Sequence, residues 1–220
     1  MEERSVTSGY HGSRLAADPR RDVLWATLWE AYFRHLIPQD GCVLDLGCGY
    51  GQFINNVAAR RRIAIDSWPG STAYLDDGVE GIVGDVSDLS RIGDGTVDYA
   101  FASNLFEHLT QEDFAKVLAA LRRKLSPRGT LTILQPNYRY AYREYFDDYT
   151  HVSVYSHVSL ADFLVANGFR VEECRPRFLP LTIKSRMPVW PWLIRLYLAL
   201  PFKPLGKQML MVARPGADSK

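Results

Sequence analysis

Between Gly41 and Asn137 the chain alternates short apolar runs with polar, turn-forming segments, the pattern of buried strands in an α/β sheet. Val43, Leu44 and Leu46 mark a first strand, closed by Gly47-Cys48-Gly49-Tyr50-Gly51 and followed by Phe53 to Arg60 with helical character. Arg62 to Asp66 predicts a second strand, Gly81 to Val86 a third and Thr96 to Asn104 a fourth. Leu125 to Leu134 carries a helix end, a Pro-Arg-Gly turn and a fifth strand. Further on, Ser159 to Asn167 predicts a helix, with closing strands up to Cys174 and over Met209 to Arg214. At the front, Arg20 to Leu36 places Trp25, Leu28, Trp29, Tyr32 and Phe33 at helical spacing and is stopped by Pro38.

The first strand and its glycine turn carry the chemistry. Glycines at 47, 49 and 51 let the backbone turn tightly and come close to a ligand, at the point where a parallel sheet receives a nucleotide. The spacing is GxGxG, whereas the dinucleotide fingerprint is GxGxxG, so it argues against NAD. Asp66 ends the second strand about 20 residues later, where a carboxylate accepts hydrogen bonds from ribose hydroxyls. With Asp85 on the third strand and the segment Leu105-Phe106-Glu107-His108-Leu109 after the fourth, the ordered set resembles the class I S-adenosylmethionine (SAM) methyltransferases.

That resemblance is tight from Gly41 to about Asn137 and looser beyond. It implies an α/β, Rossmann-like, mostly parallel seven-stranded sheet with helices on both faces. It adds an N-terminal helical segment and insertions after strand 5 and between strands 6 and 7. It implies a single domain over 1–220, with a lid and helix at 1–40, a cofactor core at 41–137 and acceptor-side insertions at 138–158 and 175–208. The cofactor would be SAM, bound by Asp45, Gly47, Cys48, Gly49, Gly51, Asp66, Ser67, Asp85, Val86, Asn104 and Leu105. Asp85 matches the acid that pairs with the adenine amino group, and residues 105–109 the segment under the methionine and sulfonium. The resemblance further implies that the segment ahead of the first helix folds back over SAM, where Arg14 would grip the cofactor carboxylate with its planar donor fork.

Composition adds limits. At 220 residues with 47% hydrophobic content, the chain can bury a substantial core. A net charge of +1 gives no footprint for nucleic acid. Charge is segregated, however: Asp66 to Asp98 is strongly acidic and Phe169 to Gln208 strongly basic, which suits a cationic cofactor on one side and an anionic acceptor or membrane on the other. Cys42, Cys48 and Cys174 follow no metal spacing, and without a secretory signal they point to a reducing cytoplasm.

Two insertions should wall the acceptor pocket, since ligands of open α/β sheets bind beyond the carboxyl ends of the strands. The first holds Tyr138, Tyr140, Tyr142, Tyr145 and Tyr149, rings suited to a sugar or aromatic acceptor, and both His151 and His157. Methyl transfer to a hydroxyl needs a base, so His151 is the leading candidate, oriented by Asp147 or Asp148, with His108 as the alternative and His157 as structural. Two histidines with no Cys or Glu partner at ligand spacing argue against zinc, so no metal is expected. The second insertion contains Met187 to Phe202, too short to span a bilayer. It reads either as a buried cap or dimer contact, or as a peripheral contact over 187–207 with the inner membrane face through Trp190, Trp192, Tyr197, Arg186, Arg195, Lys203 and Lys207. The expected protein is thus a cytoplasmic O-methyltransferase, monomer or homodimer, acting on a small-molecule, glycan or lipid-linked acceptor. The chain resembles small bacterial methyltransferases associated with surface glycan or lipid-linked precursors. Its rivals are a nicotinamide-dependent oxidoreductase and a non-catalytic SAM-fold partner subunit.

Overall fold

The computed structural model describes residues 18–180 and 189–216. Its strands are β1 (Cys42–Leu46), β2 (Arg61–Asp66), β3 (Val79–Val83), β4 (Val97–Ser103), β5 (Leu125–Pro136), β6 (Phe169–Pro180) and β7 (Gly206–Pro215). They form one sheet in the order β3-β2-β1-β4-β5-β7-β6. β1 to β5 are parallel to one another, and β7 runs antiparallel to both β5 and β6. The order reverses between β1 and β4, which opens a crevice at their carboxyl ends.

The alternation along each strand divides the core in two. On one face Leu44, Leu46, Ile63 and Ile65 lie under α2 (Gln111–Lys124) and α4 (His157–Ala166), which contribute Phe114, Leu118, Leu121, Leu160 and Leu164. On the other, Val43, Ala64, Tyr99 and Phe101 meet Leu28, Trp29 and Phe33 from α1 (Pro19–Ala31) and the turn after it. Two smaller helices complete the fold: α3 (Tyr138–Ala141) and α5 (Pro191–Ala199), of which α5 packs Ile194, Tyr197 and Leu198 on the second face.

α1 is set by its ends: the Asp18 side chain accepts from Arg20 N, and Pro19 stands at the first helical position. It stops at Ala31, short of the expected Leu36, because Tyr32 leaves helical geometry and a 3-10 turn over Phe33–His35 swings Phe33 inward. There Phe33 meets the rings of Trp25, Tyr32, Phe53 and Phe101. The aromatic stripe is therefore core.

The helix expected over Phe53 to Arg60 is reduced to a 3-10 turn at Ile54–Asn56. Asparagine side chains compete for the backbone here: Asn56 Nδ2 donates to Gln52 O at 2.8 Å, while Asn55 bonds Tyr74 O and Asp76 N across the β2–β3 connection. Val57 is already extended, and β2 begins at Arg61. β3 also ends earlier than expected, so Asp85 lies two residues past it in a turn closed by Ser87 N on its own Oδ1 at 2.7 Å. Conversely, β6 and β7 reach further than the expected limits through an antiparallel ladder with register shifts, which narrows the second insertion to 181–205.

Candidate active site

The glycine turn hangs on the end of β2. Gly47 N and Cys48 N both donate to Ile65 O, at 2.9 and 3.2 Å, and Gly49 N donates to Asp66 Oδ2 at 2.8 Å. Gly47, Gly49 and Gly51 have φ of 68°, 52° and 67°, the left-handed region that glycine enters without strain. A Cβ on Gly47 would stand 2.9 Å from Leu105 Cδ1, so a side chain there would also displace the end of Leu105. At that exit Asn104 is left-handed too, with φ of 50°; its N–H donates to Leu134 O and its Oδ1 accepts from Gln208 Nε2.

A cleft results, lined by Gly47, Asp66, Ser67, Asp85, Val86, Leu105 and Leu109. Six of these seven are among the expected cofactor residues. Asp45, Cys48, Gly49 and Gly51 build the turn, Asn104 sets the path out of β4, and Arg14 lies outside the described residues. Burial, reinforced by the neighbouring Asp66, holds the Asp45 carboxyl well above the usual carboxylate range. Burial also pushes the Cys48 thiol up, so this cysteine is no thiolate nucleophile. The cleft thus offers a close-approach backbone turn, two carboxylates and an apolar wall, a set that fits a nucleoside carrying positive charge.

Adjoining it, the first insertion folds back onto the turn after β4. Val152 N and Ser153 N both donate to Glu107 O, Ser153 Oγ donates to Leu109 O, and Tyr145 OH donates to Ser153 O. This clasp brings His151 to His108, with ring centroids 4.8 Å apart. His151 Nδ1 lies 2.6 Å from Tyr145 O, and His108 Nδ1 lies 3.3 Å from Thr150 O and 2.9 Å from Thr150 Oγ1. A carbonyl only accepts, so both Nδ1 atoms carry a proton, and in the neutral imidazoles the lone pair is then on Nε2. Burial, and then the neighbouring His151, pushes His108 down to about 4.

Asp148 serves this pair differently from expectation. Its Oδ1 accepts from Thr150 Oγ1 at 2.6 Å and from Thr150 N, so it steadies His108 through Thr150, while the Tyr145 carbonyl orients His151. Burial opposes ionisation of Asp148, but the Thr150 bonds and the two histidines hold it below the usual range. Glu107, passed over in the sequence, completes the group: one ligating atom each from Glu107, His108 and His151 lie within 4.8 Å of one another. The statement that these histidines lack a Glu partner is thereby corrected. Its only sequence signal was adjacency to His108.

Other expected residues are elsewhere. His157 opens α4 and pairs its Nδ1 with Asn137 Nδ2 at 3.1 Å, a structural role. Of the tyrosines, Tyr145 is core, Tyr140 lies under the Arg177 guanidinium at 4.0 Å, and Tyr142 and Tyr149 are exposed. On α5 and just beyond it Trp190, Trp192, Leu196, Leu200, Phe202 and Leu205 are exposed, so this segment is not a buried cap. Two of its expected lipid-facing cations are committed internally: Lys203 caps the carbonyls of Tyr197, Leu198 and Leu200, and Lys207 pairs with Glu144. Arg186 and Met187 lie outside the described residues.

A family model described as a methyltransferase domain matches residues 19–174. Among solved structures, the fold is similar to a SAM-dependent methyltransferase from Archaeoglobus fulgidus at 21% identity and a TM-score of 0.66, covering 95% of this chain and 99% of that one. It is also similar to a chain in the complex between the Haloferax volcanii Trm112 methyltransferase activator and a methyltransferase, at 20% identity and 0.67, covering 92% and 93%. The DhpI–SAH complex matches at 19% and 0.59, covering 95% and 91%. No curated protein matches the chain in sequence.

Proposed function

The chain belongs to the methyltransferase-domain family and takes SAM as its cofactor, and on that premise we propose that it methylates a hydroxyl oxygen of a small-molecule, sugar or lipid-linked acceptor. Family membership sets aside the nicotinamide-dependent oxidoreductase and the non-catalytic subunit. SAM supplies a methyl group on a sulfonium, already an excellent leaving group. What remains for the protein is alignment, exclusion of water and management of one proton.

In this reading Asp66 accepts from the ribose, Asp85 from the adenine amino group, and the Gly47–Gly51 turn admits the methionyl part. Leu105 and Leu109 keep water from the sulfonium. The observation that carries the oxygen assignment is the imidazole pair beside the cofactor cleft, with both protons fixed on Nδ1. In the neutral imidazoles the Nε2 lone pairs suit the place where an acceptor hydroxyl loses its proton. The exposed aromatic and aliphatic side chains on and beyond α5 favour a lipid-linked acceptor met at a membrane surface, with no helix among the described residues long and apolar enough to cross one.

Incubating the protein with methyl-labelled SAM and lipid, glycan or phenolic extracts tests this directly. The expected product carries label in an O-methyl linkage, and His151→Ala lowers turnover by about a hundredfold while SAM affinity stays within a few fold. Label found only on nitrogen or carbon would overturn the oxygen assignment.

A further inference from the structure

Glu107 has no relative exposure at all, 0%, and neither carboxyl oxygen has a hydrogen-bond partner among the described residues. Burying such a group unpaired is costly, and natural proteins seldom tolerate it without a reason. The surrounding structure does not relax around it: the Glu107 carbonyl is clasped by two backbone donors from the insertion, which fixes the residue where it is. Its neighbours are two histidines rather than apolar side chains alone.

We propose that Glu107, His108 and His151 bind a divalent transition-metal cation at the acceptor end of the cleft. The three ligating atoms, all within 4.8 Å of one another, would close by up to about 1–2 Å to reach the separations of about 3–4 Å that ligand bonds near 2.1 Å impose. Each imidazole has Nδ1 on a backbone carbonyl, the hold that metal-binding histidines usually have when the other ring nitrogen is the ligand. His108 has a carboxylate behind it as well, through Thr150 to Asp148. The cation would supply the partner that both Glu107 oxygens lack.

Ligand chemistry narrows the ion. Two imidazoles and one carboxylate suit Zn²⁺, Mn²⁺, Co²⁺ or Fe²⁺ better than Mg²⁺ or Ca²⁺, which prefer all-oxygen sets. Three protein ligands leave positions open, the mark of a site that also receives a substrate. For its purpose the inference rests on the proposed O-methyl transfer. With the ring-nitrogen lone pairs on the cation neither imidazole would serve as the base, and a hydroxyl held by the cation would instead release its proton to solvent more readily. The oxygen's electron pair then forms the O–CH₃ bond as the S–CH₃ pair returns to sulfur.

The test uses the full chain without any histidine tag. Titration with Zn²⁺ alone by calorimetry, and with Co²⁺ alone by visible absorption, should give one site per chain. Glu107→Gln and His151→Ala should each weaken binding by tenfold or more, and Thr150→Val by about tenfold, with SAM affinity in the absence of added metal within a few fold in all three. Absence of a stoichiometric site in the wild type, or variants that bind as the wild type does, would overturn the proposal whatever the variants' folding. Transfer that continues undiminished after exhaustive chelation would overturn the cation's role while leaving the O-methyltransferase reading intact. A site that binds cation in a protein that never forms O-methyl product would instead support the site and refute that reading.

Discussion

Replacing Asp66 by Asn removes one acceptor from a carboxylate that the protein already uses twice. Oδ2 takes Gly49 N and Oδ1 takes Trp68 N, each at 2.8 Å, and the remaining lone pairs face the cleft. An amide keeps one oxygen and turns an NH₂ toward a donor that then has nothing to bond. Losing a charge-assisted bond to the cofactor, with one N–H left poorly paired, costs about 1–3 kcal/mol. At about 1.4 kcal/mol per decade this is roughly a 5- to 150-fold rise in the Kd for SAM. The same defect acts on the apo protein, because Gly49 N anchors the turn, so stability should fall by a similar amount. Calorimetric titration with SAM and with its demethylated product, alongside urea unfolding, measures both. A folded Asp66→Asn protein that binds SAM within twofold of the wild type would refute the placement of the ribose at this carboxylate.

Three further outcomes follow from the geometry. Gly47→Ala puts a Cβ into a φ of 68° and 2.9 Å from Leu105 Cδ1, so SAM affinity should drop by about tenfold or more, read by the same titration. Asp45→Asn should raise stability at neutral pH, seen in urea unfolding across pH. The native carboxyl is raised above its unfolded value of 3.8, so its contribution is complete below that value and lost as pH rises toward the folded pKa; the amide removes this loss. Trp192→Ser combined with Phe202→Ser should reduce sedimentation with anionic vesicles several-fold, with modest salt sensitivity because Lys203 and Lys207 are internally engaged.

The cofactor end was legible because its signals are local. A strand of five buried residues, a glycine turn and an acid at the next strand's end depend on neighbours in sequence, and all survive in the structure. The acceptor end was legible only in part. His151 and His108 were recognisable as candidates, yet what brings them together are contacts across about forty residues, such as Thr150 with His108. Glu107 gave no sign of burial, since an acid beside a polar turn ordinarily faces water. The missing helix after the glycine turn was masked for a different reason. Helical propensity is a weak prior, and the long-range bonds of Asn55 to the β2–β3 connection overrode it.

One short turn joins the two ends of the site. Leu105 and Leu109 line the cleft, while Glu107 and His108, between them, group with His151. Residues 106–108 form a single 3-10 turn, pinned at Glu107 O and Leu109 O by the insertion, so a backbone shift under one pair of side chains is carried to the other. Binding at one end must therefore bias the geometry at the other, and by linkage the effect is reciprocal. SAM should change the affinity for Zn²⁺, and Zn²⁺ should change the affinity for SAM by the same factor. Ser153→Ala, which removes the hydroxyl on Leu109 O, loosens the pin while touching neither ligand. It should shrink that factor toward one while leaving each separate affinity within a few fold. Equal factors in the wild type and in Ser153→Ala would mean that the two ends communicate by some route other than this turn.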